Sequence, residues 1–296
     1  MDEAAWRHVF GVIRDHGFNH VRYHSWCPPE AAFKVADEMG FFLQVECGIW
    51  ANQGATIGNG EQVDRWLYEE TERIIACYGH HPSFVLLAHG NEPAGAHHVS
   101  FLRKWVQHFR GKGDHRHLIT AAACYPAIDE NQYQNPSGIQ QHGWGGGLNS
   151  AINSHPPSTD FDYRGKVESF PVPSISHEIG QWCAYPDFRE IARYTGLLRA
   201  KNFEIFRETL EANGLGSLAG DFLAASGALQ VLCYRHEFEA QLRTRGLGGF
   251  VVLDLRDFPG QGTALVGMLN AFWESKGYLK PENFKPSFKT AWACLA

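Results

Sequence analysis

Short apolar runs alternate with segments of helical period along most of this chain, and that alternation limits the fold more than any other feature. Ala5, Trp6, Val9, Phe10 and Ile13 recur at a helical spacing over residues 2–16, and Gly17 ends the helix. Asn19-His20-Val21-Arg22-Tyr23-His24 reads as a short strand. Pro28-Pro29 opens a helix over 30–39 that Gly40 closes. A strand over 41–46, a Gly/Asn-rich loop over 48–60 and a long helix near 61–78 follow. A strand over 84–90, a helix near 97–110 and a strand over 118–123 come next. Residues 125–170 are rich in Gly, Asn, Pro, Ser and His and show little periodicity, with one weak strand at Gln140-Gln141-His142-Gly143-Trp144. A strand over 172–178 is followed by helical segments near 187–195, 202–213, 217–226 and 228–243. A strand over 249–255, a polar loop (256–263) and a weak helix around 264–274 complete the pattern.

Strands alternating with helices predict a parallel α/β sheet. The apolar strand interiors predict that helices cover both of its faces. The expected architecture is a (β/α)8 TIM barrel held in one domain over 1–296. A barrel needs eight strands and seven are legible, one of them weak. The chain opens on a helix, so the first strand is expected to precede residue 1. Length alone suggests about two domains, but such barrels often take about 250 residues as one unit.

Composition excludes several classes of function. The 296 residues are 44% hydrophobic and 20% charged, enough apolar material for a large core. The net charge of −6, without basic blocks, argues against a nucleic-acid partner. No apolar run approaches the ~18 residues of a membrane span. Met1-Asp2-Glu3-Ala4-Ala5-Trp6 lacks the basic and apolar regions of a signal peptide. The chain as given is therefore expected in the cytoplasm, although a longer parent could be periplasmic or secreted. Seven scattered cysteines without a CxxC pair read as free thiols. Nine Trp among 13% aromatic residues suit either core packing or stacking on sugar faces.

Two glutamates fall where apolar strands run out, each two residues from a glycine. Glu92 ends Phe84-Val85-Leu86-Leu87-Ala88-His89-Gly90-Asn91-Glu92-Pro93. Glu178 sits in Val172-Pro173-Ser174-Ile175-Ser176-His177-Glu178-Ile179-Gly180-Gln181. In a parallel barrel the strand C-termini converge on one mouth, where chemistry takes place. Two carboxylates brought together there are the equipment of a retaining glycosidase.

These residues resemble the catalytic barrel of glycoside hydrolase family 2. Asn19 to Ser25 looks like the family's second strand with its arginine, and "FKVADEMGFFLQVE" (Phe33 to Glu46) like the helix and third strand that follow. His81-Pro82-Ser83 through Gly90-Asn91-Glu92-Pro93 is similar to the fourth-strand signature. Ser176-His177-Glu178-Ile179-Gly180-Gln181 is similar to the seventh. The likeness spans about residues 5–260. The family's β-sandwich domains and first strand are absent, so the chain looks like a truncated catalytic domain.

The resemblance implies hydrolysis of a terminal β-glycosidic bond by double displacement, with Glu92 as acid/base and Glu178 as nucleophile. A negative Glu178 would favour the protonated form of Glu92, and loss of that charge in the ester would let Glu92 act on water as a base. Arg22 is expected to keep Glu178 ionised. Asn91 resembles the family's residue that bonds the sugar 2-hydroxyl. His24, Glu46, Trp50, Tyr125, His142, Trp144, His177, Trp182 and Asp254, with Asp257, are further expected substrate contacts, each as readily explained by local packing. Neither a cofactor nor a metal is called for. A β-galactoside is the first expectation for the sugar, on family frequency and not on any residue.

Two rival readings stand beside this one. Sixteen His residues suit a metal-dependent barrel hydrolase that gathers His24, His89, His142, His177 and Asp254. The HxH at His115-Arg116-His117 begins a strand and so lies at the wrong end for chemistry. The other rival is a carbohydrate-binding fragment without turnover.

Overall fold

The computed structural model describes residues 1–143, 146, 149–154, 156, 158–262 and 265–284. Trp144, expected in the pocket, lies outside them. The amphipathic helix α1 (Glu3–Asp15) buries Trp6, Val9, Phe10 and Ile13, and the Asp2 carboxylate accepts the Ala5 N–H at 2.9 Å to cap it. β1 (His20–Arg22), α2 (Glu30–Met39), β2 (Phe42–Glu46), α3 (Gln62–Tyr78), β3 (Phe84–Ala88), α4 (His98–Gly111) and β4 (Leu118–Thr120) then alternate. The four strands form one parallel sheet in the order β1-β2-β3-β4. Strands β2 and β3 are sealed on nearly all positions, as apolar runs between helix layers must be. Phe10, Phe33, Leu43, Phe84, Trp105 and Phe109 form the heart of this core.

Short helices α5 (Ala151–Ser154) and α6 (Arg164–Val167) interrupt the long loop before β5 (Ser174–Ile179). Helices α7 (Lys201–Ala212) and α8 (Ala219–Arg243) lead to β6 (Leu247–Val252), which pairs in parallel with β5. Tyr234 and Phe238 of α8 pack with Ile179, Met268, Leu279 and Phe284 in a second core.

The expected closed barrel is not what the hydrogen bonds draw: the described strands form a four-stranded and a two-stranded sheet. A link between them comes from an unexpected segment. Parallel bridges Cys124↔Pro136 and Gln134↔Ser174 carry the pairing from the exit of β4 to β5. Cys124 N–H donates to Asn135 O at 2.9 Å, and Ile175 N–H to Gln134 O at 2.8 Å. The weak strand expected at 140–144 therefore corresponds to pairing about six residues earlier, and Gln140 to Gly143 are irregular. On the other side β1 and β6 are half-buried throughout and unpaired with each other. Phe18, just before β1, meets Phe250 of β6 edge to face at 6.2 Å.

Three further expectations are corrected. The two helices expected over 217–226 and 228–243 are one, because Gly227 lets the Tyr278 ring lie against α8; a Cβ there would stand 2.6 Å from the ring. The segment near 187–195 is a 3₁₀ helix, Phe188–Arg193. Residues 265–274 are irregular, held by bridges Arg256↔Leu269 and Leu269↔Ser275 instead of a helix. The stretch Gly216–Arg243 is long and apolar enough by composition to cross a membrane. Within the fold its Gln230, Tyr234, Glu237, Phe238 and Gln241 are core positions.

Candidate active site

The candidate site forms where the exits of the parallel strands continue by single bridges. Trp50 pairs with Asn91, and Asn91 with Ala123. Gly90 makes this approach feasible. Its φ is +156°, and a Cβ would stand 2.4 Å from Ile49 O; without one, the Asn91 N–H reaches that carbonyl at 3.1 Å. Five described non-glycine residues hold positive φ, and Glu92 (+34°), Cys124 (+83°) and Glu178 (+51°) are three of them. Left-handed backbone costs such residues on the order of 1–3 kcal/mol each and tends to gather at functional sites.

Arg22 organises the floor. Its side chain is 3% exposed. Nε donates to Glu46 Oε1 at 2.6 Å, one terminal nitrogen to Glu178 Oε1 at 2.8 Å, and the other to Asn91 Oδ1 at 2.7 Å and Glu46 Oε2 at 3.2 Å. Burial works against a charge on Glu178, yet His177 and Arg22 beside it hold its carboxyl below the usual carboxylate range. Burial likewise opposes a charge on Glu46, and Arg22 outweighs it.

Glu92, partly exposed, meets neutral donors instead. The Trp50 indole N–H donates to its Oε2 at 2.8 Å, and the Asn52 amide approaches the same oxygen at 3.5 Å. Tyr125 lies close enough that, after burial, the Glu92 charge helps raise its hydroxyl pKa. His24 packs edge-on to Trp50 at 4.8 Å and brings Nε2 to 3.9 Å from Glu178 Oε1. The His177 ring joins the two walls. Its Nε2 is 3.3 Å from Glu178 Oε1, and one of its nitrogens is within 4.8 Å of both a Glu92 oxygen and Cys124 Sγ. Burial pulls the His177 imidazole down to about 4. Asp254 lies nearby, where burial and then the Glu178 charge push it up to about 7.

Nine residues expected at the site are thus brought together: Arg22, His24, Trp50, Asn91, Glu92, Tyr125, His177, Glu178 and Asp254. Glu46 is not a pocket wall. It is fully buried behind Arg22, whose guanidinium and the Ser25 N–H (2.7 Å) occupy its oxygens, so no ligand reaches it. His142 and Trp182 stack on each other at 5.0 Å, and the Trp182 indole N–H donates to Glu237 Oε2 at 3.0 Å. That anchors the pair to α8 and not to either pocket carboxylate. Asp257 is a structural acid: it pairs with Lys276 at 2.9 Å and accepts the Gly267 N–H at 2.8 Å.

The metal set of the rival reading does not assemble among the described residues. His89 is sealed with Nδ1 on Ala121 O at 2.7 Å, and His142 is stacked away on Trp182. Two residues were missed by sequence reasoning. Cys124 looked like one more scattered thiol; burial pushes it up to about 11. Glu237 accepts the Gln141 N–H at 2.6 Å besides the Trp182 indole, and burial pushes it up to about 8. Its signal was present: Tyr234, Glu237, Phe238 and Gln241 share one face of a helix, so a glutamate stands in line with core aromatics.

With parallel strands between helices and two glutamates in unlike surroundings at their C-terminal ends, the molecule is a parallel α/β protein. It is similar in structure to a family 2 β-galacturonidase from Eisenbergiella tayi bound to galacturonate, with TM-score 0.65 and 14% identity over 98% of this chain and 48% of that one. A β-D-mannosidase from Dictyoglomus thermophilum gives TM-score 0.65 and 14% identity over 97% and 36%. In sequence it is 27% identical over 111 residues to β-galactosidase 2 of Enterobacter cloacae, covering 36% of this chain and 11% of that protein. The chain spans about half or less of the length of these solved structures, and its alignment covers about a tenth of that β-galactosidase. No family model matches it.

Proposed function

We propose that this chain carries the catalytic centre of a retaining β-glycosidase built on a (β/α)8 plan. The observation that carries the reading is the unlike setting of two glutamates that face one imidazole. Glu178 is tied to a buried arginine at 2.8 Å, while Glu92 is met by an indole N–H at 2.8 Å. An arginine fixes a carboxylate in its charged form, as a nucleophile requires. Neutral donors on the facing carboxyl leave it free to exchange a proton, as an acid/base requires.

In the first step Glu178 attacks the anomeric carbon while Glu92 protonates the departing oxygen. The ester removes the negative charge from Glu178. Glu92 then takes a proton from a water whose oxygen attacks the anomeric carbon; the bond to Glu178 breaks, the carboxylate is restored and the sugar leaves with retained configuration. Asn91 has its Oδ1 committed to Arg22, so its NH₂ group is the donor it offers the sugar 2-hydroxyl. Trp50, 39% exposed, is the aromatic face for the ring. The relatives named above act on galactosides, galacturonides or mannosides by their names. A β-galactoside remains the first substrate to try, with β-glucuronides, β-galacturonides and β-mannosides beside it.

The test is a screen of aryl β-glycosides with two variants. Glu178→Gln should abolish turnover and prevent covalent labelling by a 2-fluoro sugar. Glu92→Ala should slow substrates with poor leaving groups far more than activated aryl glycosides. Equal losses on both substrate types would remove Glu92 from the acid role. Sugar binding that survives Glu178→Gln in a chain that never turned over would make the protein a binder.

A further inference from the structure

The strand exits that carry the two glutamates also bring together a third kind of donor. A Glu92 carboxylate oxygen, Cys124 Sγ and a ring nitrogen of His177 all lie within 4.8 Å of one another. The three come from separate strand exits, so the fold assembles the group and the chain order does not. His177 is the independent observation. It is 3% exposed, yet neither ring nitrogen makes a hydrogen bond, although both are sealed from water. A buried imidazole normally satisfies at least one nitrogen. Nε2 lies 3.3 Å from Glu178 Oε1 without a hydrogen bond, Nδ1 has no hydrogen-bond partner, and the ring is in reach of a thiol and a second carboxylate.

An imidazole, a thiol and a carboxylate form the mixed N/S/O set that suits a borderline-soft divalent ion, whereas Mg²⁺ and Ca²⁺ prefer oxygen alone. Donors around a tetrahedral zinc ion, with bonds of ~2.0–2.3 Å, stand roughly 3.5 Å apart. The group must therefore close by about an ångström. Glu92 and Cys124 are both partly exposed, so they can rotate toward the ion, and the ion has a path from the pocket.

We infer that Glu92, Cys124 and His177 form a site for a divalent cation of the zinc type, and that its occupancy shuts the sugar pocket. On binding, the Cys124 thiol releases its proton to solvent as the metal–sulfur bond forms, and no electrons change hands. The bound ion takes the Glu92 oxygens that would hold the transferable proton. Water or a small anion completes the coordination where the glycosidic oxygen would lie. The shutting of the pocket rests on the glycosidase reading; the binding does not.

The test uses the intact chain freed of metal by chelation. Zn²⁺ is titrated calorimetrically, and Co²⁺ is followed through its thiolate charge-transfer absorption. One equivalent should bind with that band present, and Mg²⁺ should not compete. Cys124→Ser and Cys124→Ala should remove the band and weaken Zn²⁺ by at least about tenfold. Replacement of the exposed Cys77 and Cys183 by Ser should change neither result. Unchanged affinity in both Cys124 variants, or a cobalt complex without the band, overturns the site. If the protein hydrolyses no aryl glycoside yet binds zinc through Cys124, the function reading falls and the site stands. If it hydrolyses glycosides but is indifferent to zinc, the site falls and the function stands.

Discussion

Arg22 shows how one side chain can link the stability of this fold to its chemistry. Its guanidinium neutralises Glu46, which is fully buried, and Glu178, which faces the pocket. Arg22→Ala strands a sealed carboxylate, a change that costs about 3–5 kcal/mol in comparable buried pairs. The expected outcome is a large fall in melting temperature together with lost turnover. Arg22→Lys keeps a charge but not the planar fork, and should recover part of the stability with little of the activity. Trp50 allows a finer test. Trp50→Phe keeps the ring but removes the 2.8 Å bond to Glu92. A lost hydrogen bond to a charged group is worth about 1.5–3 kcal/mol, so kcat/KM on poor leaving groups should drop by roughly tenfold or more, with a smaller loss on activated ones. Equal losses on both would show that the indole N–H does not serve the acid. At this scale the site was largely legible in the sequence, because strand-end position and residue type are local facts. Glu46 was misplaced because its neighbours in sequence say nothing of which oxygen faces Arg22.

Among the elements, α8 departs furthest from its sequence pattern. Gly227 read as a break between two helices, since glycine costs about 1 kcal/mol against alanine in a helix interior. The break would leave Tyr278 without its seat on the helix; instead its hydroxyl donates to Gln230 Oε1 at 3.0 Å. Gly227→Ala should therefore destabilise the protein by about 1–3 kcal/mol despite its better helix propensity, because the added methyl meets the Tyr278 ring at 2.6 Å. Thermal melts of Gly227→Ala alone and with Tyr278→Ala test this; in the second background the glycine change should become neutral or stabilising. The same helix fastens the irregular half of the chain through polar groups that its apolar face hides. Gln241 donates to Ile139 O at 2.7 Å, Gln230 to Leu265 O at 3.1 Å, and Glu237 accepts from Gln141 and Trp182. These contacts order loops that carry no periodicity, which is why the order of 133–143 was not visible in advance.

Across the whole molecule, burial of acids and of histidines sets the response to pH, in opposite senses. Asp254 rises to about 7 and Glu237 to about 8. Each binds its proton more tightly in the folded state than in the unfolded one, where carboxyls titrate near 4. These two acids therefore hold more protons in the folded state between about pH 4 and 8 and lower stability as pH rises. His20, His89 and His177, pulled down to about 4 by burial, do the reverse up to the ordinary histidine range near 6.5. Asp254 Oδ2 has no hydrogen-bond partner, so Asp254→Asn removes a titrating group without breaking a bond of that oxygen. Above the histidine range, from about pH 7 to 8, the wild-type melting temperature should decline, and the variant should decline less. Parallel lines for the two proteins would show that Asp254 does not titrate in this window.

The order of elements, the parallel sense of the strands, the carboxylates at their ends and the arginine that serves them were all set by the linear pattern, because periodicity and strand termini are properties of neighbouring residues. The structure alone determined which acid is sealed and which is presented, that Cys124 joins Glu92 and His177, and that a segment near 134–136 links the two sheets. These outcomes depend on how closely backbones from distant parts of the chain can approach. That approach is governed by positive-φ residues, by glycines lying against aromatic rings, and by buried polar groups whose partners are far away in the sequence.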